Sequence, residues 1–451
     1  MASAALVASA ALWLVAVPAR ASTPGADWPQ FQGSAAHEGS RGSGPAPPYR
    51  QLWTFRPPEG ALSGPVVRGG TAFAVGTTAI YAVDLGTGRQ RWQVDRSGGP
   101  LAMPAVASVE GRSILLFTEA GDDGRGALVA IALKDRTELW RIPLDAPSRS
   151  GVTVDGERAF VVDDDGTVSA VALDDGSVAW TAETLGEVLA PVAVADGRVF
   201  VTSRDTDGQR AELVAMDEDG GEVAWRFTPS VAGSSGSAPA VVDGSVVAGV
   251  ADRSVHALAA ADGAERWSRL ALSLFSPANA PAVTADAVYA VDVSGGLYRL
   301  DVATGTRVWD HQFNQLVVRS SPVVSGGSVL VGLNDGRLVA VDAASGNLVW
   351  QSAPSAGLVG PIALAGDTLV ASKGGRQAGL VAWVHDPDGT LVDVPSPTRL
   401  DLGRLFGTYA IAFVIVLGVV LLPARLAARR VGPPAWEAWE DVDADGEGPG
   451  P

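Results

Sequence analysis

VAVDAASGNLVW (residues 339–350) decides the fold of this chain, because variants of the phrase recur along most of the sequence. Two clear variants are YAVDLGTGRQRW (81–92) and YRLDVATGTRVW (298–309). Glycine adopts the positive φ of a tight turn at no steric cost, and aspartate or threonine can hydrogen-bond the turn backbone. Each phrase therefore predicts a strand, a tight turn and a second strand that carries the tryptophan.

The tryptophans recur at intervals of 39 to 48 residues, so internal repetition is the main feature of the sequence. One tryptophan at a fixed place in each repeat favours a packing role between neighbouring units. The predicted packing residues are Trp53, Trp92, Trp140, Trp180, Trp225, Trp267, Trp309 and Trp350. The predicted turn glycines, four residues before a tryptophan, are Gly88, Gly176, Gly221, Gly263, Gly305 and Gly346; the second repeat has Arg136 instead.

Two further strands precede each phrase. The segment SSPVVSGGSVLVGLNDGRLVAVD (320–342) alternates valine- and leucine-rich runs with Gly-Gly and Asn-Asp-Gly turns, which is typical of a strand meander. Four strands in roughly 42 residues make one blade of a β-propeller. The absence of a sustained helical periodicity in this region excludes a helical solenoid.

The number of blades follows from the two incomplete ends of the repeat region. Seven complete units end at Trp92 through Trp350. Residues 357–384 supply three strands, and residues 49–58 supply the missing tryptophan strand. Joining both ends in one blade closes the ring without a free sheet edge. We therefore predict an all-β, eight-bladed β-propeller over residues 49–385, with four antiparallel strands per blade and the N-terminal strand closing the last blade.

The two ends of the chain predict export and a membrane anchor. Residues 1–21 are predicted to be a signal peptide, because an apolar run is followed by an Ala-x-Ala cleavage pattern at 19–21. A basic start is missing, so an uncleaved anchor stays open as an alternative. Residues 405–424 are predicted to form a transmembrane helix, since 405–422 carries no charge and is long enough to cross a bilayer.

These ends predict how the rest of the chain is organised. Residues 22–48 are expected to be an N-terminal segment and linker, and residues 386–404 a second linker. Residues 425–451 are expected to form an acidic cytoplasmic tail. The propeller would then lie outside the cytoplasm, on a single-pass protein of the cell membrane.

The repeated phrase resembles the pyrroloquinoline-quinone-type (PQQ-like) propeller repeat, A-x-D-x-x-T-G-x-x-x-W. The stretch DWPQFQG (27–33) is similar to a short motif that often precedes such propellers. The resemblance covers about residues 27–385 and implies the propeller fold. The family includes quinone-dependent dehydrogenases and a non-enzymatic branch with the propeller lipoprotein of the outer-membrane barrel-assembly machinery, and this chain resembles the non-enzymatic branch.

The resemblance also implies what a dehydrogenase of this family would need. Those enzymes clamp the quinone between a tryptophan and a disulfide of adjacent cysteines, and hold Ca²⁺ with acidic and amide side chains. This chain has no cysteine, and its repeats leave no room for the large insertions of those enzymes. We therefore predict no enzyme, no cofactor, and no catalytic, cofactor-binding or metal-binding residues. The histidines lack metal-ligand spacing; they are His37, His256, His311 and His385.

Composition narrows the choice of partners. Fifty Asp and Glu face 33 Lys and Arg, the net charge is −17, and no basic stripe occurs in the repeats, so no nucleic-acid partner is predicted. The leading hypothesis is a membrane-anchored extracytoplasmic scaffold that binds a protein or ligand through its loops. Its partners would be the membrane, through the C-terminal helix, and a protein of unknown identity. A sensor signalling through the cytoplasmic tail and a quinone-dependent dehydrogenase stay open as alternatives.

The second repeat (101–140) departs most from the pattern. It has lost both the aspartate and the glycine of its phrase, and the insertion EAGDDGRGA (119–127) makes it the longest repeat. The insertion marks either a candidate functional edge or sequence drift.

Overall fold

The computed structural model describes residues 27–392, apart from residues 122, 189, 206, 208, 230–236, 251, 272–278 and 318. It contains eight β-sheets, seven of four strands and one of five. Each repeat forms one sheet, and the sheets follow the chain around a ring. The prediction of an all-β, eight-bladed propeller is confirmed.

The predicted signal peptide (1–21), transmembrane helix (405–424) and tail (425–451) lie outside the described residues. Within the part of the chain that the structure describes, no helix is long and apolar enough to cross a membrane. The helix predicted at 405–424 stays a prediction.

The first strands and blades 1 to 4 follow in chain order. The strands are β1 (Ser40–Arg41) and β2 (Tyr49–Phe55); in blade 1, β3 (Val66–Arg68), β4 (Thr71–Val75), β5 (Ala79–Asp84) and β6 (Gln90–Asp95); in blade 2, β7 (Ala105–Val109), β8 (Arg112–Ala120), β9 (Gly126–Ala132) and β10 (Glu138–Leu144); in blade 3, β11 (Val152–Asp155), β12 (Arg158–Val162), β13 (Thr167–Ala172) and β14 (Val178–Glu183); in blade 4, β15 (Ala193–Ala195), β16 (Arg198–Arg204), β17 (Ala211–Asp217) and β18 (Val223–Phe227).

Blades 5 to 8 continue the same order. The strands are, in blade 5, β19 (Ala240–Val242), β20 (Ser245–Val250), β21 (Ser254–Ala259) and β22 (Glu265–Leu270); in blade 6, β23 (Ala282–Val283), β24 (Ala287–Val291), β25 (Gly296–Asp301) and β26 (Arg307–Gln312); in blade 7, β27 (Val323–Ser325), β28 (Ser328–Gly332), β29 (Leu338–Asp342) and β30 (Leu348–Gln351); in blade 8, β31 (Val359–Ala365), β32 (Thr368–Lys373) and β33 (Gly379–His385). Two short 3₁₀ helices span Phe31–Gly33 and Gly375–Gln377.

Strands that are consecutive within a repeat pair antiparallel, whereas β1 pairs parallel with β27. Between the third and fourth strands of every blade the register shifts by a bulge beside the repeated tryptophan. A bulge bends its strand and redirects the neighbouring side chain. Each repeat therefore carries the same local irregularity at the position of its largest side chain.

The eighth blade is built from both ends of the repeat region. β2 pairs antiparallel with β33, from Tyr49 opposite His385 to Phe55 opposite Leu380. Trp53 thus occupies the fourth-strand position that the chain does not supply after β33. Contacts between β3 and β31 join the first blade to the last, so the ring is closed. Beyond β33 the chain returns to blade 7, where the Val392 N–H donates to the carbonyl of Val349 at 2.8 Å.

The hydrophobic core lies between neighbouring sheets. One cluster, for example, joins Phe160 and Val162 of blade 3 to Val199, Val201 and Met216 of blade 4. All five side chains are almost fully buried. The many alanines and valines allow the sheets to pack face to face, so each blade is stabilised mainly by its two neighbours.

Candidate functional site

Six of the repeated tryptophans hydrogen-bond the next blade around the ring. In each case the indole Nε1 donates to a backbone carbonyl near the turn between the third and fourth strands of that blade. The pairs are Trp53 to Leu85 (2.7 Å), Trp140 to Leu173 (3.1 Å), Trp180 to Glu218 (2.9 Å), Trp225 to Ala260 (3.0 Å), Trp267 to Val302 (2.9 Å) and Trp309 to Ala343 (3.1 Å). These side chains therefore connect successive blades.

Each turn glycine that the repeat predicts lies against the tryptophan of the preceding blade. Gly346, at φ +78°, is so close to Trp309 that a Cβ on it would lie 2.7 Å from the ring atom Cδ2. The same contact joins Gly88 to Trp53, Gly176 to Trp140, Gly221 to Trp180, Gly263 to Trp225 and Gly305 to Trp267. The turn conformation and the approach of the ring both require glycine at these positions.

Two junctions depart from this arrangement. At the turn of blade 2, Arg136 adopts φ 64° in the glycine's place. Trp92 is only half-buried there and packs against Phe73 of its own blade, with ring centroids 5.7 Å apart. Between blades 7 and 8, Trp350 meets the edge of Tyr49 at a centroid distance of 5.0 Å. The irregular junctions thus lie at the divergent repeat and at the composite blade.

The insertion of the second repeat lengthens the β8–β9 hairpin, at whose end the Gly121 N–H donates to the carbonyl of Arg125 at 2.9 Å. Glu119 near its end is buried. It accepts hydrogen bonds from Ser97 and forms an ion pair with Arg141 of β10. These contacts fix the hairpin to its own blade and bring no further chemically reactive side chain to it.

Residues 27–41, here called the axial segment, contact the first strand of every blade. Their hydrogen bonds follow the blades in order from the first to the eighth. The bonded pairs are Trp28 and Val67 (2.9 Å), Pro29 and Val106 (2.8 Å), Gln30 and Val154 (2.7 Å), Ala35 and Val194 (2.8 Å), Ala36 and Val241 (2.8 Å), Glu38 and Val283 (2.7 Å), Gly39 and Val324 (2.8 Å), and Arg41 and Leu364 (3.4 Å). Residues 27–41, part of the predicted N-terminal segment and linker, are therefore bound to the propeller.

The first strands need such a partner because their inner edges would otherwise leave backbone groups unpaired. Gln30 shows how a side chain can supply it. Its Oε1 accepts from the Val154 N–H at 2.7 Å, and its Nε2 donates to the Val154 carbonyl at 3.0 Å. The amide of Gln30 thus forms the two bonds that a neighbouring strand would form.

His37 of the axial segment is completely buried. Its Nδ1 lies 2.9 Å from the carbonyl oxygen of Pro239, and its ring packs edge-on against Phe31 with centroids 4.9 Å apart. Burial lowers the pKa of His37 from 6.5 to about 4, and the bond to Pro239 only partly opposes this effect. His37 is therefore neutral at neutral pH and donates its Nδ1 proton to Pro239.

A cavity of about 130 Å³ begins at Phe31 and lies on the axis of the ring, because blades 1, 2, 3, 4, 7 and 8 all contribute to its lining. We call it the axial cavity. Its apolar lining includes Phe31 of the axial segment together with Leu62, Leu101, Met103 and Leu358. The loops between successive blades supply most of these side chains, so the cavity faces the side of the propeller on which those loops lie.

Among the described residues that line the axial cavity, three carry a positive charge, namely Arg149, Arg319 and Lys373, and none is acidic. Arg149 is partly neutralised by Asp164 at 3.3 Å and by Glu187 at 3.7 Å. The Nζ of Lys373 donates to the neutral side chain of Gln377 at 3.0 Å. Burial lowers the pKa of Lys373, and the positive charge of Arg56 lowers it further.

The residues of the axial cavity do not fit the quinone site of the dehydrogenases. The chain has no cysteine for the clamp, and the lining, as far as its residues are described, contains no tryptophan and no acidic or amide side chain for Ca²⁺. Nowhere among residues 27–392, as far as they are described, do three or more His, Asp or Glu side chains come together as metal ligands. The described lining can bind an anion through its cationic side chains.

The sequence matches the model of a known protein family. The family model described as outer membrane protein assembly factor BamB matches residues 47–135, 124–270 and 209–385. A protein of that name from Yersinia pestis is 25% identical over 343 residues, which cover 73% of this chain and 75% of the relative. Another, from Moranella endobia (strain PCIT), is 28% identical over 293 residues, covering 59% of this chain and 72% of the relative.

Solved structures share the fold. BamB from Moraxella catarrhalis superposes with a TM-score of 0.57 at 17% identity, over 75% of this chain and all of the other. A europium-containing methanol dehydrogenase gives a TM-score of 0.62 at 14% identity, over 80% of this chain and 98% of the other. Because enzymes and assembly factors match equally well, these likenesses show the fold alone.

Proposed function

Because the chain belongs to the family described as outer membrane protein assembly factor BamB, we propose that it is a non-enzymatic, protein-binding propeller that works outside the cytoplasm. The observation that carries the proposal is the extent of the family match. It covers residues 47–385, which are the whole closed ring. The names of the relatives support a role in the assembly of membrane proteins.

The side chains of the propeller also favour binding over catalysis. The axial cavity lacks the residues of the quinone and calcium sites, so the dehydrogenase alternative has no support from its chemistry. A rigid ring instead presents two sets of loops and a row of outer strand edges, all of which can contact a partner. The fold therefore supplies surfaces for a scaffold.

The proposal extends to the membrane. The uncharged run at 405–422 supports a C-terminal anchor, with the tail 425–451 in the cytoplasm. The hydrogen bond between Val392 and Val349 starts the tether at the outer edge of blade 7.

Site-specific photocrosslinking of the full chain in native membranes tests the scaffold. One reactive residue replaces Leu316, which is 52% exposed in the loop before blade 7, and another replaces Val308 on the outer strand of blade 6, also 52% exposed. We expect at least one position to give a discrete adduct with a membrane-assembly protein. Purified propeller in excess should compete the adduct away, because true binding is saturable.

Two experimental results would contradict the proposal. Reduction of an electron-acceptor dye by the purified full chain, dependent on pyrroloquinoline quinone, Ca²⁺ and an alcohol or sugar, would overturn the proposal. So would the absence of any competable adduct from positions on both the loops and the rim.

A further inference from the structure

We propose that the axial cavity is a binding site for a carboxylate group carried on a small apolar body. The inference goes beyond the scaffold function and does not depend on it. It rests on three features of the cavity: its size, the division of its lining into apolar and cationic parts, and the unusual position of one lysine.

The volume of the cavity sets the size of the ligand. It is about 130 Å³, and an apolar cavity of about 150 Å³ holds benzene in another protein. The floor and walls include Phe31, Leu62 and Met103, which favour an apolar group over a polar one. A ring or a short branched chain fits this part of the site.

The charges of the lining determine the sign of the charge on the ligand. The chain carries a net charge of −17, yet the described lining of the cavity includes Arg149, Arg319 and Lys373 and no acidic side chain. Among the described residues, neither Arg319 nor Lys373 forms an ion pair. Cations confined in a narrow cleft concentrate their field there, so the cavity attracts anions although the protein as a whole repels them.

Lys373 is the group that best identifies the site. The chain has only one other lysine, Lys134, and uses arginine elsewhere as its cation. The ammonium of Lys373 is partly desolvated and lies near Arg56, and its hydrogen-bond partner among the described residues is the neutral side chain of Gln377. A carboxylate beside Nζ would supply the missing countercharge and a charge-assisted hydrogen bond.

A carboxylate fits this lining better than a phosphate does. Phosphate carries more charge and a stronger hydration shell, and it has no apolar part to cover Phe31 and the leucines. A carboxylate on an apolar body matches both halves of the lining. Such a group can come from a free small acid or from a side chain of a bound protein, and the experiment distinguishes these sources.

Lysine labelling provides a direct measurement on the full chain. An amine-reactive ester is added with and without 3-phenylpropionate, and modification of Lys373 and Lys134 is followed by peptide mass spectrometry. We expect 3-phenylpropionate to slow the labelling of Lys373 in a saturable manner, while labelling of the exposed Lys134 is unchanged. The neutral 3-phenylpropionamide and inorganic phosphate should protect Lys373 at least about tenfold less well.

Variants separate binding from folding. Affinity measured by calorimetry should fall about tenfold in Lys373→Met and recover in Lys373→Arg, whereas Lys134→Met should bind like the unmodified protein. Circular dichroism must show that each variant is folded. Equal protection by the acid and its amide, or unchanged affinity in folded Lys373→Met and Arg319→Met, overturns the proposal.

The last arm identifies the source of the carboxylate. A short peptide that presents a glutamate between apolar residues is compared with the free acid in the same protection assay. Tighter binding of the peptide assigns the site to a segment of a partner protein, and tighter binding of the free acid assigns it to a small molecule. Protection by neither contradicts the assignment.

Discussion

Gly346 and Trp309 lie in different blades but depend on each other. The ring of Trp309 covers the glycine, and its Nε1 bonds the carbonyl of Ala343 in the same turn. The sequence pattern predicts glycine here from the turn alone. It does not reveal the contact, because the two residues are 37 positions apart in the chain (346 − 309).

Glycine-to-alanine substitutions at two positions separate the cost of the positive φ from the cost of the contact with Trp309. Gly327 has nearly the same φ, +77° against +78°, but nothing lies within 4 Å of where its Cβ would be. We expect Gly327→Ala to lower the free energy of unfolding by about 1–2 kcal/mol, the cost of the left-handed conformation. Gly346→Ala should cost about 1–3 kcal/mol more, because the methyl group displaces Trp309. Urea denaturation measures both.

A double-mutant cycle is the control for this interpretation. Trp309→Ala alone should destabilise the fold by about 3–5 kcal/mol. In that background the extra cost of Gly346→Ala should disappear, leaving the same loss as Gly327→Ala. If the extra cost persists without the tryptophan ring, the contact is not its cause.

His37 makes stability depend on pH. Its pKa is about 4 in the folded protein and 6.5 when unfolded, so the unfolded state takes up a proton first as the pH falls. Stability should therefore be complete above the unfolded pKa and decline from about pH 6.5 to about pH 4. The expected loss between about pH 7.5 and about pH 4.5 is on the order of 2–3 kcal/mol.

The variant His37→Asn isolates this contribution. Asparagine tolerates the positive φ of 58° at this position and keeps an N–H donor, but it does not titrate. Denaturant melts at several pH values should show a flatter dependence in the variant than in the original protein. His311, whose pKa is also lowered by burial, is retained in both proteins and cancels in the comparison. Identical pH profiles would contradict the assignment to His37.

At the scale of elements, the axial segment is the part that the sequence pattern did not predict. Its second half belongs to residues 34–50, whose composition, rich in glycine, serine and proline, is typical of a linker. The resemblance of residues 27–33 to a family motif marks the segment without showing its contacts. Its bonds are mostly made by backbone atoms, which leave little trace in residue identity. Strands, in contrast, were predictable because alternation and turn glycines repeat in phase.

Gln30 offers a test of the axial segment. Gln30→Leu removes both hydrogen bonds to Val154 and leaves its half-buried N–H and carbonyl without these partners. We expect a loss of about 2–4 kcal/mol in the free energy of unfolding. The matched control is Gln51→Leu, since Gln51 is exposed and bonds only Thr54 nearby. Equal stability of the two variants in thermal and urea melts would show that the segment adds little to the ring.

At the scale of the whole molecule, the ring was predictable from the two incomplete repeats. Residues 49–58 and 357–384 complement each other in sequence, and the structure pairs them as β2 and β33 of one blade. The axial cavity was not predictable in this way. Its lining comes from parts of six blades that lie far apart in the chain, such as Arg149, Arg319 and Lys373, and no local pattern connects them.

The axial segment also meets the blades in the order in which a ribosome makes them. Residues 27–41 are synthesised before any blade, and their partners follow from Val67 in the first to Leu364 in the last. Each new blade thus finds its partner already present at the centre of the growing protein. The bond from Arg41 to Leu364 has to wait for the final blade, so a chain that stops short of residue 364 keeps a vacant place on its axis. The number of blades that are hydrogen-bonded to the axial segment therefore increases as more of the propeller is completed.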